Sequence, residues 1–504
     1  MEKIMKLKYI VNTLLVGLVF TACSKDSDSD TKETAITKPD EINNFVWKAM
    51  NSWYYWQPNV ANLSDDKITS TEVYNNLVNG KTPDALFYSL LYQRGTVDRF
   101  SWIENSNEIV RVSKIAEVEK KGGFNYAIYP KDGSNTNLVA LINYIVPNSP
   151  AALAGLKRGD VITKVNGSQL TSSNYDQLEN AQLTVTLAAS LQFSGGSLVT
   201  TDKTGTVTVS KAEIDENPIA YYEKKEYGAK NVGYLVFNGF KSDYNDELNL
   251  AFAKMQVDGI NELVLDLRYN GGGSLETAVA LAQMINGSFT NKPYIYLDFN
   301  NKHNSEDGYE NLSEKVNIFN LVDNKPTFLR EESINSLALT KIYVLVSFQT
   351  ASASELTIQC LKKYINVITI GEETVGKFVG SNTLYDSPAS DYTSYVNRST
   401  KHKWQLQPIT FSYYNKDKDA NPAKIIPDYE INPYSTFLNL VEFGNVKDPY
   451  LNKAIELITG KTVRTTAKNT NSSLSLKNDN LAAFNPTNTA KGLYIEDFKR
   501  LKKQ

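Results

Sequence analysis

Three short segments hold the residues best suited to chemistry. The first is Gln349-Thr350-Ala351-Ser352-Ala353-Ser354-Glu355. It lies between an apolar run at 342–346 and a stretch in which Ala353, Leu356, Thr357, Cys360, Leu361 and Tyr364 share one helical face. Ser352 therefore falls at a strand-to-helix turn. Free backbone N–H groups and the positive end of a helix dipole stabilise an alkoxide or oxyanion there. Taken alone, such a serine is more often a helix N-cap. The second segment, Gly371-Glu372-Glu373-Thr374-Val375-Gly376-Lys377, follows an expected strand at 365–370. A serine nucleophile needs a base, and the two histidines, His303 and His402, lie in polar, lysine-flanked stretches that suit solvent exposure. A lysine serves instead when burial favours its neutral form, a shift of up to about 3–5 units. Lys377 sits between Gly376, which permits close backbone approach, and apolar Phe378-Val379, which can exclude water. The ordinary alternative is a solvated loop lysine. The segment also fits G-x-x-x-x-G-K, but Phe378 replaces the metal-binding hydroxyl, and Glu372 and Glu373 repel phosphate. The third segment is Asp266-Leu267-Arg268-Tyr269-Asn270-Gly271-Gly272-Gly273-Ser274. Its triple glycine bares N–H groups that can donate to a carbonyl oxygen turning oxyanion, or simply allows a tight turn. Asp266 and Arg268 are expected to brace that loop as an ion pair.

These segments need a scaffold. Buried-strand runs at 233–237, 262–267 and 341–346 alternate with amphipathic helices, the pattern of a largely parallel sheet. The fold class is α/β and multidomain. An N-terminal helical segment spans 38–105, a β-rich domain 106–212 and an α/β core 213–460. A loosely ordered tail, rich in Asn, Thr, Ser and Lys, covers 461–504. Within the β-rich part, Ser149-Pro150-Ala151 through Gly155 reads as a short helix, and Asn166-Gly167 as a hairpin turn. Residues 287–335 are polar and Asn-rich and are expected to be an irregular excursion over the surface. At 504 residues the chain exceeds one ordinary core. Its net charge of −3 argues against nucleic acid as a partner.

The N-terminus reads as a targeting segment. Lys3, Lys6 and Lys8 precede an apolar stretch too short for a comfortable membrane span, then Thr21-Ala22 and Cys23. This resembles a bacterial lipoprotein signal, with residues 1–22 removed and a lipid on Cys23. Residues 23–37 form a polar, acidic, disordered tether. With Cys23 lipidated, Cys360 has no disulfide partner, and its helical position makes it a core residue.

Together, Thr350–Glu355, Gly371–Lys377 and the Asp266–Gly273 loop resemble the C-terminal processing peptidases, over roughly residues 98–460. That resemblance implies Ser352 as nucleophile and Lys377, 25 residues later, as general base. It also implies an oxyanion hole from the N–H groups of Gly273 and Ala353, with no metal or cofactor. It makes 106–212 a PDZ domain, a module that binds a C-terminal carboxylate and adds the peptide to a sheet edge. Gly122, Gly123, Phe124 and Asn125 resemble its carboxylate-binding loop, and Ser149 through Gly167 its most recognisable segment. The family usually carries a glutamine four residues after the lysine, orienting the amine. Here Ser381 occupies that position, with Asn382 beside it. The implied function is a serine endopeptidase acting on proteins or peptides held by their C-termini, lipid-anchored in the cell envelope on the periplasmic or outer face of an outer membrane. The alternative is a weak or inactive peptide-binding lipoprotein.

Overall fold

The computed structural model describes residues 38–105, 120–132, 134–194, 197–322, 325–433, 437, 440–461 and 493–494. The expected signal peptide 1–22, Cys23 and the tether 23–37 lie outside these residues, as does most of the 461–504 tail. Among the described residues, no helix is long and apolar enough to cross a membrane.

The helix Glu41–Trp53 starts where the Asp40 carboxylate accepts the Asn43 N–H at 2.9 Å. Its spacing of Phe45, Val46, Trp47, Ala49, Met50 and Trp53 buries one face completely. Each large side chain of that set stabilises by roughly 1.5–3 kcal/mol on burial. The face joins the same apolar core as the helices Leu275–Ile285 and Ala353–Leu361. The N-terminal helices therefore share a core with the segments singled out above.

The β-rich domain is a sheet with strand order Phe124–Lys131, Ser134–Ile145, Val161–Val165, Gln182–Ser194 and Ser197–Asp202. It has its own core, around Ile128, Ile142, Ile162 and Val185. Asn166 and Gly167 both adopt positive φ, 50° and 82°, at the hairpin that the sequence marks.

The α/β core is built on six strands, in order Ile219–Tyr227, Lys230–Phe237, Glu262–Asp266, Lys341–Val346, Asn366–Gly371 and Tyr429–Glu430. The first pair is antiparallel and all the others are parallel. Leu263, Leu265, Ile342 and Val344 face the helices Leu275–Ile285 and Ala353–Leu361, whereas Val264, Tyr343 and Leu345 face the helix Pro449–Thr459. Burial on both faces is why these strands read as continuous apolar runs. The three segments of interest follow the C-terminal ends of three adjacent parallel strands. Crevices in open α/β sheets lie at that edge.

Residues 287–335 are not irregular. They contain the strands Pro293–Phe299, Gly308–Asn311, Lys315–Val322 and Lys325–Ser333. Ile295, Leu297 and Phe299 point into the core from Pro293–Phe299, and Val316 and Ile318 from the hairpin behind it. Tyr294, Tyr296 and Asp298 in the first strand, and Lys315 and Asn317 in the third, alternate with these residues and mask the two-residue period. Of the tail, Leu493–Tyr494 pairs in parallel with Val379–Ser381.

Candidate active site

The turn carrying Ser352 is assembled by local hydrogen bonds. Ser347 N–H donates to Thr350 Oγ1 at 2.9 Å, and Thr350 Oγ1 donates to the Leu267 carbonyl at 2.8 Å. Ala351 N–H and Ser354 Oγ both donate to the Asn270 carbonyl, at 3.1 and 3.0 Å. The serine turn is thus tied to the glycine loop. Ser352 sits at φ 62°, ψ −114°, a conformation costly for a residue with a Cβ. It is fully buried.

Gly272 packs directly against this turn. A Cβ there would lie 2.8 Å from Ser352 Cβ and 3.0 Å from Ala353 N, so no side chain fits. Its own N–H is used by Asn270 Oδ1 at 2.9 Å. The N–H groups of Gly273 and Ala353 donate to no partner among the described residues. Ala353 follows the serine directly, and Gly273 follows Gly272, the glycine packed against the serine turn. The Asp266–Arg268 pair is present at 2.6 Å, fully buried, and Arg268 also binds Asp448 at 2.8 Å. Burial alone would raise the Asp266 carboxyl, but the guanidinium holds it below the usual range.

Glu355 joins the two principal segments. Its Oε2 accepts the N–H of Ser352 and of Lys377, each at 2.8 Å. Its Oε1 accepts Gly376 N–H at 2.7 Å and the Thr374 hydroxyl. The main chains of Ser352 and Lys377 therefore meet at one oxygen atom. Burial raises the Glu355 carboxyl pKa, opposed by these four donors. The Tyr413 hydroxyl lies between the Ser352 and Lys377 carbonyls, at 3.0 and 2.9 Å.

Lys377 is 1% exposed. Burial drives its amine down to about 7, partly opposed by the charges of Asp98 and Glu355 and aided by Arg99. The apolar wall is not only Phe378. Nζ stands 4.7 Å from the ring centroid of Phe100, which comes from the N-terminal segment. Asp98 holds that segment in place by accepting the N–H groups of Phe100 and Ser101 and the Tyr54 hydroxyl. Arg99 clasps the Val375 and Gly376 carbonyls at 3.3 and 3.2 Å.

The histidines are not exposed. His303 stacks on Trp53 at 3.6 Å, beside Ser52 and Asp391, and His402 stacks on Phe45 and faces Asp386 at 3.2 Å. Both pin the N-terminal helix to the core. Aromatic neighbours distant in sequence cover the two rings within stretches whose other residues are largely exposed. Cys360 is a fully buried core residue.

Ser381 is buried and accepts a hydrogen bond from Gln407 Nε2 at 2.6 Å. Gly122, Gly123, Phe124 and Asn125 belong to the β-rich domain, at the start of the strand Phe124–Lys131. The Gly122 and Gly123 carbonyls accept the N–H groups of Ala151 and Val146, both at 2.8 Å. Gly123 has φ 79° and packs so tightly that a Cβ would lie 2.1 Å from Ser149 Cβ. Phe124 begins the strand at the end of the sheet order, and Asn125 Oδ1 accepts from Asn143 at 2.8 Å. Sequence reasoning gave no role to Glu355, Phe100, Tyr413 or Gln407. The one available signal was Glu355, three residues after Ser352, the spacing of a capping box.

Residues 231–431 match the model of peptidase family S41, residues 41–102 that of the S41 N-terminal domain, and residues 141–181 a PDZ domain. A Staphylococcus aureus protein named "Probable CtpA-like serine protease" is 26% identical over 389 residues, covering 74% of this chain and 64% of its own. A Staphylococcus epidermidis protein of the same name is 24% identical over 429 residues, covering 84% and 71%. The chain thus spans just under two thirds of the S. aureus relative. The solved structure of a "Putative S41 protease" from Bacteroides fragilis is 25% identical, with a TM-score of 0.63, covering 84% of this chain and 98% of that one.

Proposed function

This chain belongs to peptidase family S41, and from that premise we propose that it is a serine endopeptidase in which Ser352 attacks and Lys377 is the general base. The observation that carries the reading is the buried Lys377 amine, lowered to about 7, on a segment fastened through Glu355 to the Ser352 turn. Neutral Nζ takes the Ser352 hydroxyl proton as Oγ bonds to the scissile carbonyl carbon. The N–H groups of Gly273 and Ala353 hold the oxyanion. Lys377 then gives its proton to the leaving amine, and the C–N bond breaks to leave an ester on Ser352. Water, deprotonated by Lys377, hydrolyses that ester.

Substrates are proteins or peptides captured by their C-termini. The Gly122–Asn125 loop takes the carboxylate and the Phe124–Lys131 edge takes the chain as an added strand. No metal or cofactor enters this scheme. The pH profile of kcat/KM for a denatured model protein tests it. Activity requires the unprotonated amine, so the rate should fall as pH drops through about 7. An acidic limb near the unperturbed lysine value of about 10.4 would refute Lys377 as a buried base.

We further propose that the mature protein is anchored in the cell envelope by a lipid on Cys23. Metabolic labelling with a fatty acid should mark the parent and not Cys23→Ser. Equal labelling of both rules out that anchor.

A further inference from the structure

The strand Val379–Ser381 begins two residues after Lys377. Ile409–Asn415 pairs antiparallel along one side of it, with Gly380 opposite Phe411 and Ser381 opposite Ile409. That side is fixed. A Cβ on Gly380 would lie 2.1 Å from Phe411 Cζ, and the Tyr413 hydroxyl of the same neighbouring strand lies between the Ser352 and Lys377 carbonyls. The other side takes Leu493–Tyr494 in parallel register, Gly380 opposite Leu493 and Ser381 opposite Tyr494. Among the described residues, this pair alone keeps Val379–Ser381 from being the edge of its sheet.

An open edge is a row of unpaired N–H and C=O groups, a template for any extended chain. Leu493-Tyr494-Ile495 suits that template, as an apolar, strand-favouring run between Gly492 and Glu496-Asp497. The pairing is only two residues long, however, and parallel pairs are the less stable kind per residue. A segment that short opens at little cost in free energy. Being part of the chain, it also returns readily, at an effective concentration on the order of mM. Gly380 lies three residues from Lys377, at most about 10–11 Å of chain. A substrate strand of about six residues spans about 20 Å, so one paired along this edge reaches the reacting groups. Two strands cannot use the same edge at once.

We propose that Leu493–Tyr494 is a built-in occupant of a peptide-docking edge: it holds Val379–Ser381 at rest and must leave before an extended substrate segment can add there beside Lys377. The inference rests on the Ser352–Lys377 reading, which places the cut next to this edge. The segment is then a competitor of substrate rather than part of the scaffold. Capture of a substrate's C-terminus at the Gly122–Asn125 loop raises that substrate's own effective concentration, and this displaces a weak internal strand.

The test compares the full-length parent with the double variant Leu493→Pro, Tyr494→Pro. Proline has no N–H to donate and leaves a sheet ladder, so the variant frees the edge without touching Val379–Ser381. With a denatured model protein as substrate, KM should fall roughly 3- to 30-fold, kcat should stay within about twofold, and the thermal midpoint should hold. Unchanged KM overturns the proposal. So does a lower kcat together with a lower thermal midpoint, which would make the segment a structural strand. A second arm needs no turnover, so it decides the matter even if the peptidase reading fails. In the Ser352→Ala background, a fluorescent peptide copying Thr489–Phe498 is titrated by anisotropy. It is amidated, so the Gly122–Asn125 loop has no carboxylate to take. It should bind the double variant more tightly than the chain with Leu493 and Tyr494 intact, by the same factor, and proline at its two central positions should abolish binding. Equal affinity for both proteins, or binding that survives the prolines, rejects the competition.

Discussion

Ser352→Ala is expected to lower kcat for protein cleavage by on the order of 10⁴-fold or more, with the thermal unfolding midpoint near that of the parent. The hydroxyl oxygen is lost, but the backbone bonds that hold the turn survive. Ser352 N–H still reaches Glu355, and its carbonyl still accepts from Leu356 N–H at 2.7 Å and lies beside the Tyr413 hydroxyl. The variant should also keep its affinity for a peptide with a free C-terminal carboxylate and lose it when that peptide is amidated. Lys377→Met should match the loss of activity but, unlike Ser352→Ala, should change stability. The folded amine titrates near 7, against about 10.4 when unfolded. Between those values the unfolded chain binds the extra proton, so the parent gains stability as pH rises from 7 to 10. Below 7 the folded chain bears a buried ammonium, and methionine should stabilise there by up to a few kcal/mol. Cleavage that survives Ser352→Ala in purified protein would remove the serine from the mechanism. Equal inactivity of parent and variant, with peptide binding intact, would leave a C-terminus-binding protein.

Glu355→Ala is the second large effect. One buried carboxylate receives four hydrogen bonds, three of them from main-chain N–H groups of the Ser352 and Gly376–Lys377 turns. Removing it strands those donors at a cost of about 3–5 kcal/mol, read by urea denaturation. Both turns also lose their common anchor, and a shift of about 1 Å between reacting groups costs on the order of 100-fold in rate. The measurement is kcat per folded molecule, at a temperature where circular dichroism shows the variant folded. Glu355→Gln should be intermediate, because its NH2 must face N–H or O–H donors on one side. Unchanged kcat in the folded Glu355→Ala fraction would reduce this residue to a helix cap.

Much of this site was legible before any coordinates. Ser352 and the triple glycine each follow an apolar run and precede a helix, and Lys377 closes a polar turn after another apolar run; local composition records that directly. Asp266 and Arg268 are two residues apart, so their pairing is a local matter and was readable. Burial was harder to read. Residues 287–335 looked irregular because Tyr, Asp, Asn and Lys separate the inward-pointing Ile295, Leu297, Val316 and Ile318. His303 and His402 looked solvated because Trp53 and Phe45, the rings that cover them, lie some 250 and 357 residues away along the chain.

The sequence by itself determined the chemical groups, their order along the chain and the kind of element that bears each one. These depend on residue type and near neighbours, which the chain states outright. Tertiary structure alone decided that the strands Glu262–Asp266, Lys341–Val346 and Asn366–Gly371 lie side by side and parallel, so that three loops open at one edge. It alone brought Phe100 over the amine, Glu355 under both turns and Gln407 against Ser381. A lysine becomes a base through loss of water, and that loss is set by groups far apart in sequence, packed by the shared core.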